Sequence, residues 1–432
     1  MRNPKIRVLV FPAGTETGME IQRSLAFCKE VSLVGATNGS CNHGKYVFQK
    51  CYKIQDVRSN GWLDELNKII RKEQIDFVFP AHAYVVESLS KVRDRLSAKL
   101  IAASEQAILV TRSKYQTIQL LKDIIPTPDI YTSAHEIPSF PVFVKPDNSY
   151  GSQGACEARS LDELNVVLKY ASKPIIQQFL PGSELTCDCL SDVEGRLLFA
   201  GARFRRRIRM GTSMHSEFVP PKENQLFISY AQKISERIGI SGPWFFQMRA
   251  DQKGNYRLLE VEARIAGTMC LNRVMGVNFA LLSIFTFAGR PFEIRPNKGK
   301  VVVDRALINR YHHNYNYKTV YIDLDDTLVV HGKVNVLLAG FIYQAINEGK
   351  KVVLISKSLE KNKLKFLKRH RLHGLFDKVV WLDENISKAS VIKEKKAIFI
   401  DDSFSQRMEV EKNCKIPTFD PSMVEILLSA KS

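Results

Sequence analysis

From residue 6 the chain alternates short apolar runs with longer amphipathic stretches, the pattern of an α/β protein. Ile6-Arg7-Val8-Leu9-Val10-Phe11 reads as a strand, residues 12–18 as a glycine-containing turn, and the stretch up to Phe27 as an amphipathic helix. Further strand-like runs at 31–36 and 76–80 are separated by helical periodicity, so residues 1–100 are expected to form a doubly wound unit. Its first turn holds Gly14 and Gly18 but lacks the G-x-G-x-x-G spacing that lets a backbone approach a pyrophosphate. A dinucleotide is therefore not implied, and the unit reads as a scaffold or substrate-side domain. Residues 101–305 mix strands and helices, and 295–300 have the composition of a linker. Residues 306–317, with His312-His313-Asn314-Tyr315-Asn316-Tyr317, read as a polar connection, since no third metal ligand accompanies the two histidines. In 318–432 the apolar runs Val320-Tyr321-Ile322, Lys351-Val352-Val353-Leu354-Ile355 and Ala397-Ile398-Phe399 each end on polar or acidic residues. No internal repeat or low-complexity tract interrupts the pattern.

At 432 residues the chain exceeds what one hydrophobic core supports, in keeping with two or three domains. The 63 basic and 45 acidic residues give +18, which favours anionic partners such as nucleotides, phosphorylated metabolites or nucleic acid. The 8 cysteines include no CxxC pair and no zinc spacing. Cys187 and Cys189 alternate along a strand-like run and read as core packing. The apolar run after the basic start is too short for a membrane span, as is every later one, and cytoplasm is the expected compartment.

The strongest chemical signal is a pair of acidic clusters at strand ends: Asp323-Leu324-Asp325-Asp326-Thr327 and Ile400-Asp401-Asp402-Ser403. Carboxylates gathered at the edge of a parallel sheet can hold Mg²⁺ against a phosphate. An aspartate that attacks phosphorus also needs a cation beside it and a second acid for the departing group. Asp323 is the candidate nucleophile and Asp325 the acid and base; Thr327 belongs to the same motif. Ser356 can hydrogen-bond the phosphate, Lys388 supplies positive charge, and Asp401 and Asp402 complete a metal site with Asp323 and Asp325. In order and spacing these elements resemble the haloacid dehalogenase-like phosphatases over residues 318–432. The stretch between Thr327 and Ser356 has room for a helix and a strand but not for an inserted lid, so the resemblance implies a capless, Rossmann-like domain.

In the middle region a strand delivers Lys145 into a Gly/Ser-rich loop that includes Ser149, Gly151, Ser152 and Gly154, whose small residues let backbone N–H groups converge on phosphate oxygens. Downstream lie Gln177-Gln178-Phe179-Leu180-Pro181-Gly182-Ser183-Glu184, Gln247, and Glu260-Val261-Glu262-Ala263-Arg264. Glu260 and Glu262 share a strand face, and two carboxylates beside an amide suit Mg²⁺; Arg264 can reach a transferring phosphoryl group. Together with Lys114 these segments resemble the ATP-grasp superfamily over residues 1–305, closest to carbamoyl-phosphate-synthase-like ligases of the kind associated with surface polysaccharide pathways. The resemblance implies a pre-ATP-grasp doubly wound domain followed by an ATP-grasp α+β domain. It implies ATP phosphates at Lys114 and Lys145, adenine at Gln178, Phe179 and Leu180, ribose at Glu184, and Mg²⁺ or Mn²⁺ at Gln247, Glu260 and Glu262. Two departures stand out: Glu262 occupies a position usually held by Asn, and Gln178 one where Glu is common. Such enzymes join a small carboxylate to an amine through an acyl phosphate, releasing ADP and phosphate.

The densest basic run is Arg203-Phe204-Arg205-Arg206-Arg207-Ile208-Arg209. Strict alternation would put Arg203, Arg205, Arg207 and Arg209 on one face, with Arg207 and Arg209 as candidate substrate anion ligands. Few aromatic residues interleave with them, which disfavours nucleic acid. Three functional classes follow: a ligase fused to a phosphatase, the two acting in turn on a phosphorylated amine; a nucleic-acid end-processing phosphatase; and an ATP-binding regulatory module. A homodimer through the ATP-grasp half is compatible with the first.

Overall fold

The computed structural model describes residues 5–39, 42–148, 153–357 and 362–431. They form two compact units, residues 1–307 and 308–430, with the last residues of the chain grouped with the first unit.

The first unit opens with a five-stranded parallel sheet of β1 (Ile6–Phe11), β2 (Val31–Thr37), β3 (Cys51–Lys53), β4 (Phe77–Pro80) and β5 (Lys99–Leu100), in the order β3-β2-β1-β4-β5. Apart from Arg7, β1 is buried along its length, as expected of a central parallel strand covered on both faces. Because β2 and β4 flank it, the winding reverses at the carboxyl end of β1, the place where open α/β sheets leave a crevice for ligands. There the turn enters the helix Glu16–Leu25, whose N-cap Thr15 accepts from the Gly18 N–H. Gly18 is required by contact: a Cβ would lie 2.5 Å from the Pro12 carbonyl oxygen. The short β3 and β5 are not evident in the hydrophobic pattern, and the first helix ends two residues before the expected Phe27.

Next come β6 (Ile130–Tyr131), β7 (Val142–Pro146), β8 (Cys156–Ala158) and β9 (Pro174–Gln178), an antiparallel sheet ordered β6-β9-β7-β8. The larger antiparallel sheet contains β10 (Glu184–Ser191), β11 (Leu197–Arg209), β12 (Thr212–Phe218), β13 (Gly242–Ala250), β14 (Tyr256–Glu262) and β15 (Val302–Asp304), ordered β14-β13-β10-β11-β12-β15. Its buried face carries Trp244, Phe246, Leu258 and both Cys187 and Cys189, whose sulfurs lie 3.9 Å apart in the core.

In the second unit, β16 (Thr319–Ile322) is followed by a hairpin of β17 (Val329–Val330) and β18 (Lys333–Val334), then β19 (Lys351–Ser356), β20 (Lys378–Trp381), β21 (Ala397–Ile400) and β22 (Thr418–Phe419). The parallel sheet is ordered β20-β19-β16-β21-β22, with an apolar cluster on each face. His331 and Gly332 both take positive φ, the requirement of a tight two-residue hairpin turn. This hairpin and the helix Val336–Asn347 fill the stretch between Thr327 and Ser356. Among the described residues no helix is long and apolar enough to cross a membrane.

Leu9 and Leu354 are fully buried, each at the centre of a different unit's sheet. Each Leu→Ala substitution is expected to remove about 2–5 kcal/mol. Urea titrations followed by hydrogen exchange in each unit should show Leu9→Ala lowering protection in residues 6–100 and Leu354→Ala in residues 319–400. Equal loss in both units from either variant would show them to unfold as one.

Candidate active sites

In the first unit, Lys145 closes β7 and is 5 % exposed. Its Nζ donates to the Leu259 carbonyl oxygen of β14 at 3.0 Å, so one side chain links the four-stranded sheet to the six-stranded one. Burial, with Lys114 adding to it, pulls its pKa down to about 7 against the attraction of Glu260, Asp147 and Glu184. Lys114 opens the helix Lys114–Leu121, and its Nζ reaches the Asp147 carbonyl oxygen at 3.3 Å. Ser149, Gly151 and Ser152 lie outside the described residues. Gly154, at the far end of that loop, adopts φ +70°, a conformation glycine takes without strain.

Gln178 ends β9 and its N–H donates to the Asp129 carbonyl oxygen at 2.8 Å; Phe179 is half-buried and Leu180 buried. Gly182 then passes so close to β13 that a Cβ would lie 2.6 Å from the Ala250 side chain. Glu184 opens β10 between Arg205, at 2.7 Å, and Arg249, at 4.0 Å. Burial holds its carboxyl above the usual range even with Arg205 beside it.

Gln247 of β13 pairs directly with Glu260 of β14. Both line a cavity of about 240 Å³ that also receives Thr15, Glu16 and His82 from the first sheet, and Arg203, Arg205, Arg264 and Arg305. Glu262 is engaged differently from the expected metal ligand. Its carboxylate lies 3.2 Å from Arg264 Nε and 3.8 Å from Arg112, so two guanidiniums already neutralise it. The amide and carboxylate left for a hard cation are Gln247 and Glu260. Arg264 also lies over the Phe245 ring, 5.2 Å from its centre. His82 is held down to about 4 by burial, with Arg264 and Arg112 adding to it, and is neutral at pH 7.

The arginine strand corrects the expected alternation. The β11–β12 register slips between Arg205 and Arg207, leaving Arg206 as an extra residue that pairs with Glu217 and stacks on Phe204. Ahead of the slip Arg203 and Arg205 are buried; beyond it Arg207 and Arg209 are exposed. Arg207 is paired to Asp304 of β15, and neither it nor Arg209 lines the cavity. The arginines that reach the cavity are Arg203 and Arg205. A more open cavity, about 1090 Å³, lies at the opposite edge of the first sheet beside Lys5, Asp76 and Lys99, and carries none of the expected site residues.

In the second unit Asp323 follows β16, tied by its N–H to the Ile400 carbonyl oxygen at 3.0 Å. Lys388 Nζ sits between Asp323, at 2.7 Å, and Asp401, at 2.6 Å, all three buried. Burial raises Asp323 to about 7; Lys388 pulls it down and Asp401 pushes it up. Burial works against the Lys388 charge, yet the two aspartates keep its pKa above the ordinary value. Thr327 Oγ1 donates to Asp402 at 3.0 Å and accepts the Asp402 N–H at 2.9 Å. Carboxylate oxygens of Asp323, Asp401 and Asp402 all lie within 4.8 Å of one another, an all-oxygen group suited to Mg²⁺. Asp325, expected among the metal ligands, is outside that group. Its side chain is exposed and accepts a hydrogen bond from the Ser356 hydroxyl at 3.5 Å. Arg407, which sequence reading missed, donates to the carbonyl oxygens of Asp401 and Asp402 at 2.6 and 2.7 Å and fixes that turn.

Residues 171–307 match a family model described as "ATP-grasp in the biosynthetic pathway with Ter operon". A D-alanine–D-alanine ligase of Fusobacterium nucleatum is 29 % identical over 255 residues, 55 % of this chain and 81 % of that protein. The carbamoyl phosphate synthase large chain of a Thermoanaerobacter species is 24 % identical over 213 residues, 44 % of this chain and 20 % of that one. Among solved structures, the biotin carboxylase domain of Hydrogenobacter thermophilus 2-oxoglutarate carboxylase, in complex with MgADP, ADP and bicarbonate, aligns with TM-score 0.57. It is 16 % identical, over 69 % of this chain and 72 % of that one. The chain carries the ATP-grasp fold, and its sequence is similar to ATP-grasp ligases.

Lys145 sets a pH dependence. Its folded pKa, about 7, lies below the unfolded value of 10.5, so between those values the unfolded chain binds the extra proton and stability rises with pH. Below pH 7 both states are protonated and the penalty is constant. Lys145→Met is expected to raise thermal stability by on the order of a few kcal/mol at pH 6, with the gain shrinking as pH rises through 7 to 10. Calorimetric melts across that range check it; a gain independent of pH would show that the Lys145 pKa is the same in the folded and unfolded chain.

Proposed function

We propose that the first unit is an ATP-dependent carboxylate–amine ligase, and the second a Mg²⁺-dependent phosphatase working through Asp323. The observation that carries the ligase reading is the buried Lys145, which spans the two sheets beside the Gln247–Glu260 pair. A buried ammonium whose pKa has fallen to about 7 is under-compensated by the carboxylates near it, and a nucleotide phosphate would supply the missing charge. Lys114 and Lys145 bind the phosphates, Gln178 to Leu180 and Glu184 hold the nucleoside, and Gln247 and Glu260 hold Mg²⁺. That ion, or Mn²⁺, supplies neutralising charge for the phosphates when bound. A carboxylate oxygen of the first substrate attacks the γ-phosphorus and ADP departs, leaving an acyl phosphate. The amine nitrogen of the second substrate then attacks the acyl carbon, phosphate leaves, and the nitrogen loses a proton. Arg264 faces the phosphoryl group in transfer.

In the second unit Asp323 attacks the phosphorus of a phosphomonoester, while Asp325 protonates the departing oxygen and then takes a proton from the water that hydrolyses the aspartyl phosphate. Ser356 and Lys388 hold the phosphate oxygens, and Thr327 braces Asp402. Asp323, Asp401 and Asp402 fit the metal. The two reactions fit in series: an amine that enters as its phosphate ester is joined to a carboxylate, and the product is then dephosphorylated.

With Mg-ATP and a panel of carboxylates and amines, Glu260→Gln is expected to abolish substrate-dependent ADP release. Asp323→Asn is expected to lower hydrolysis of p-nitrophenyl phosphate by about a hundredfold or more. Coupled ADP assay and phosphate release read the two separately. ATP binding with no substrate-stimulated ADP release across the panel would favour a regulatory nucleotide-binding module.

A further inference from the structure

The cavity over the six-stranded sheet contains more fixed hydrogen-bond donors than phosphoryl transfer requires. Its walls carry four arginines, Arg203, Arg205, Arg264 and Arg305, against two glutamates, Glu16 and Glu260. Arg264 lies two residues past the end of β14, the strand of Glu260, and serves the transferring group. Arg203 and Arg205 stand on β11, deeper and more rigidly held.

Arg203 is 1 % exposed and is clamped along one edge: Nε and Nη2 donate to Asp188 at 2.7 and 3.0 Å, and Asn272 donates to the same carboxylate at 2.8 Å. Its Nη1 reaches Ser216 Oγ at 3.5 Å, the limit of a hydrogen bond, so the other edge of the fork keeps donors to offer. Arg205, 8 % exposed, spends Nη1 on Glu184 and Nη2 on the Gly211 carbonyl. Its Nε–H is buried with no hydrogen-bond partner among the described residues. An unsatisfied donor on a buried charged group carries a desolvation cost that a ligand oxygen would recover. The charges are already balanced by Asp188 and Glu184, so an incoming anion meets oriented donors in place of two loose side chains.

The cavity opens where the first sheet reverses its winding, beside Thr15 and His82, the crevice in which open α/β sheets bind ligands. At about 240 Å³ it has room for roughly eight water-sized groups, too few for a nucleotide.

We propose that this cavity binds the amine substrate through an anionic group of the amine's own, a carboxylate or a phosphate, held by Arg203 and Arg205. The proposal rests on the ligase reading and deepens it: the acceptor is a small amino acid or aminoalkyl phosphate. The anion is not consumed in the reaction and anchors the amine while its nitrogen approaches the acyl phosphate.

The test is isothermal titration of the full chain, saturated with Mg²⁺ and the non-hydrolysable analogue AMP-PNP, with phosphoethanolamine, glycine and ethanolamine. At least one of the two anionic amines is expected to bind about tenfold or more tightly than ethanolamine, the worth of one good charge-assisted hydrogen bond. Preference for phosphoethanolamine assigns a phosphate, and preference for glycine a carboxylate. Arg205→Gln should reduce the preference to within about threefold. Arg203→Gln alone strands Asp188 and risks misfolding, so it is paired with Asp188→Asn, which leaves a neutral hydrogen-bonded couple; this double variant should lose the preference and still bind AMP-PNP. Wild-type protein that binds AMP-PNP but shows no preference for an anionic amine overturns the proposal and leaves the ligase reading standing. Failure to bind AMP-PNP at all overturns both.

Discussion

Both candidate sites depend on the burial of a cation that has to find an anion. In water a lysine ammonium satisfies itself; inside a sheet edge it does so only through carboxylates, carbonyls or a ligand. Lys145 and Lys388 meet this constraint in opposite ways. Lys145 has one hydrogen bond, to a carbonyl, and a neighbouring ammonium in Lys114; its charge is under-compensated and its pKa falls. Lys388 has two carboxylates within 2.7 Å and keeps its charge. The first arrangement leaves a buried cation under-compensated, and the second holds two aspartates together that would otherwise repel.

This difference follows from the strands that deliver the residues. Lys145 comes from the end of an antiparallel strand facing another sheet, so its nearest polar neighbours are backbone groups and the Glu260 carboxylate across the gap. Asp323 and Asp401 come from the carboxyl ends of adjacent parallel strands, β16 and β21, which pair from Thr319 with Ala397 to Ile322 with Ile400. In-register parallel pairing puts the next residue of each strand side by side, so the acids converge wherever the two strands stop. The side-chain arrangement in the second unit's candidate site is thus written into strand register, and that in the first into the facing of two sheets.

That contrast also explains what was legible in the sequence. Strand-end acids after apolar runs could be read directly, because the apolar run marks the strand and the acid its end. The strands bearing Asp323, Ser356 and Asp401, and the first β-α unit, lie within one or two residues of the expected bounds. The arginine strand misled, because period-two reading assumes an unbroken ladder and one extra residue at Arg206 turns the outer half of the run away. Charge density drew attention to the exposed arginines, whereas the buried ones line the cavity. Only their partners could have pointed to them: Asp188, an acid set between Cys187 and Cys189 in the middle of a buried strand, has no reason to be there unless a cation meets it. Arg407 and Thr15 left no comparable trace, since their roles are set by turns whose geometry the local pattern does not encode.

The buried arginines bear on how the positive charge of the chain is used. A net charge of +18 suggests a surface that gathers polyanions, yet the most concentrated basic run spends Arg203 and Arg205 on internal carboxylates, and Arg206 and Arg207 on Glu217 and Asp304. Four guanidiniums in one strand are thereby committed to single carboxylates, and a nucleic-acid strand would have to displace those partners to engage them. A small anion entering the cavity that Arg203 and Arg205 line would leave those ion pairs in place. For this strand, the physical cost of binding favours a compact anionic metabolite over a polymer.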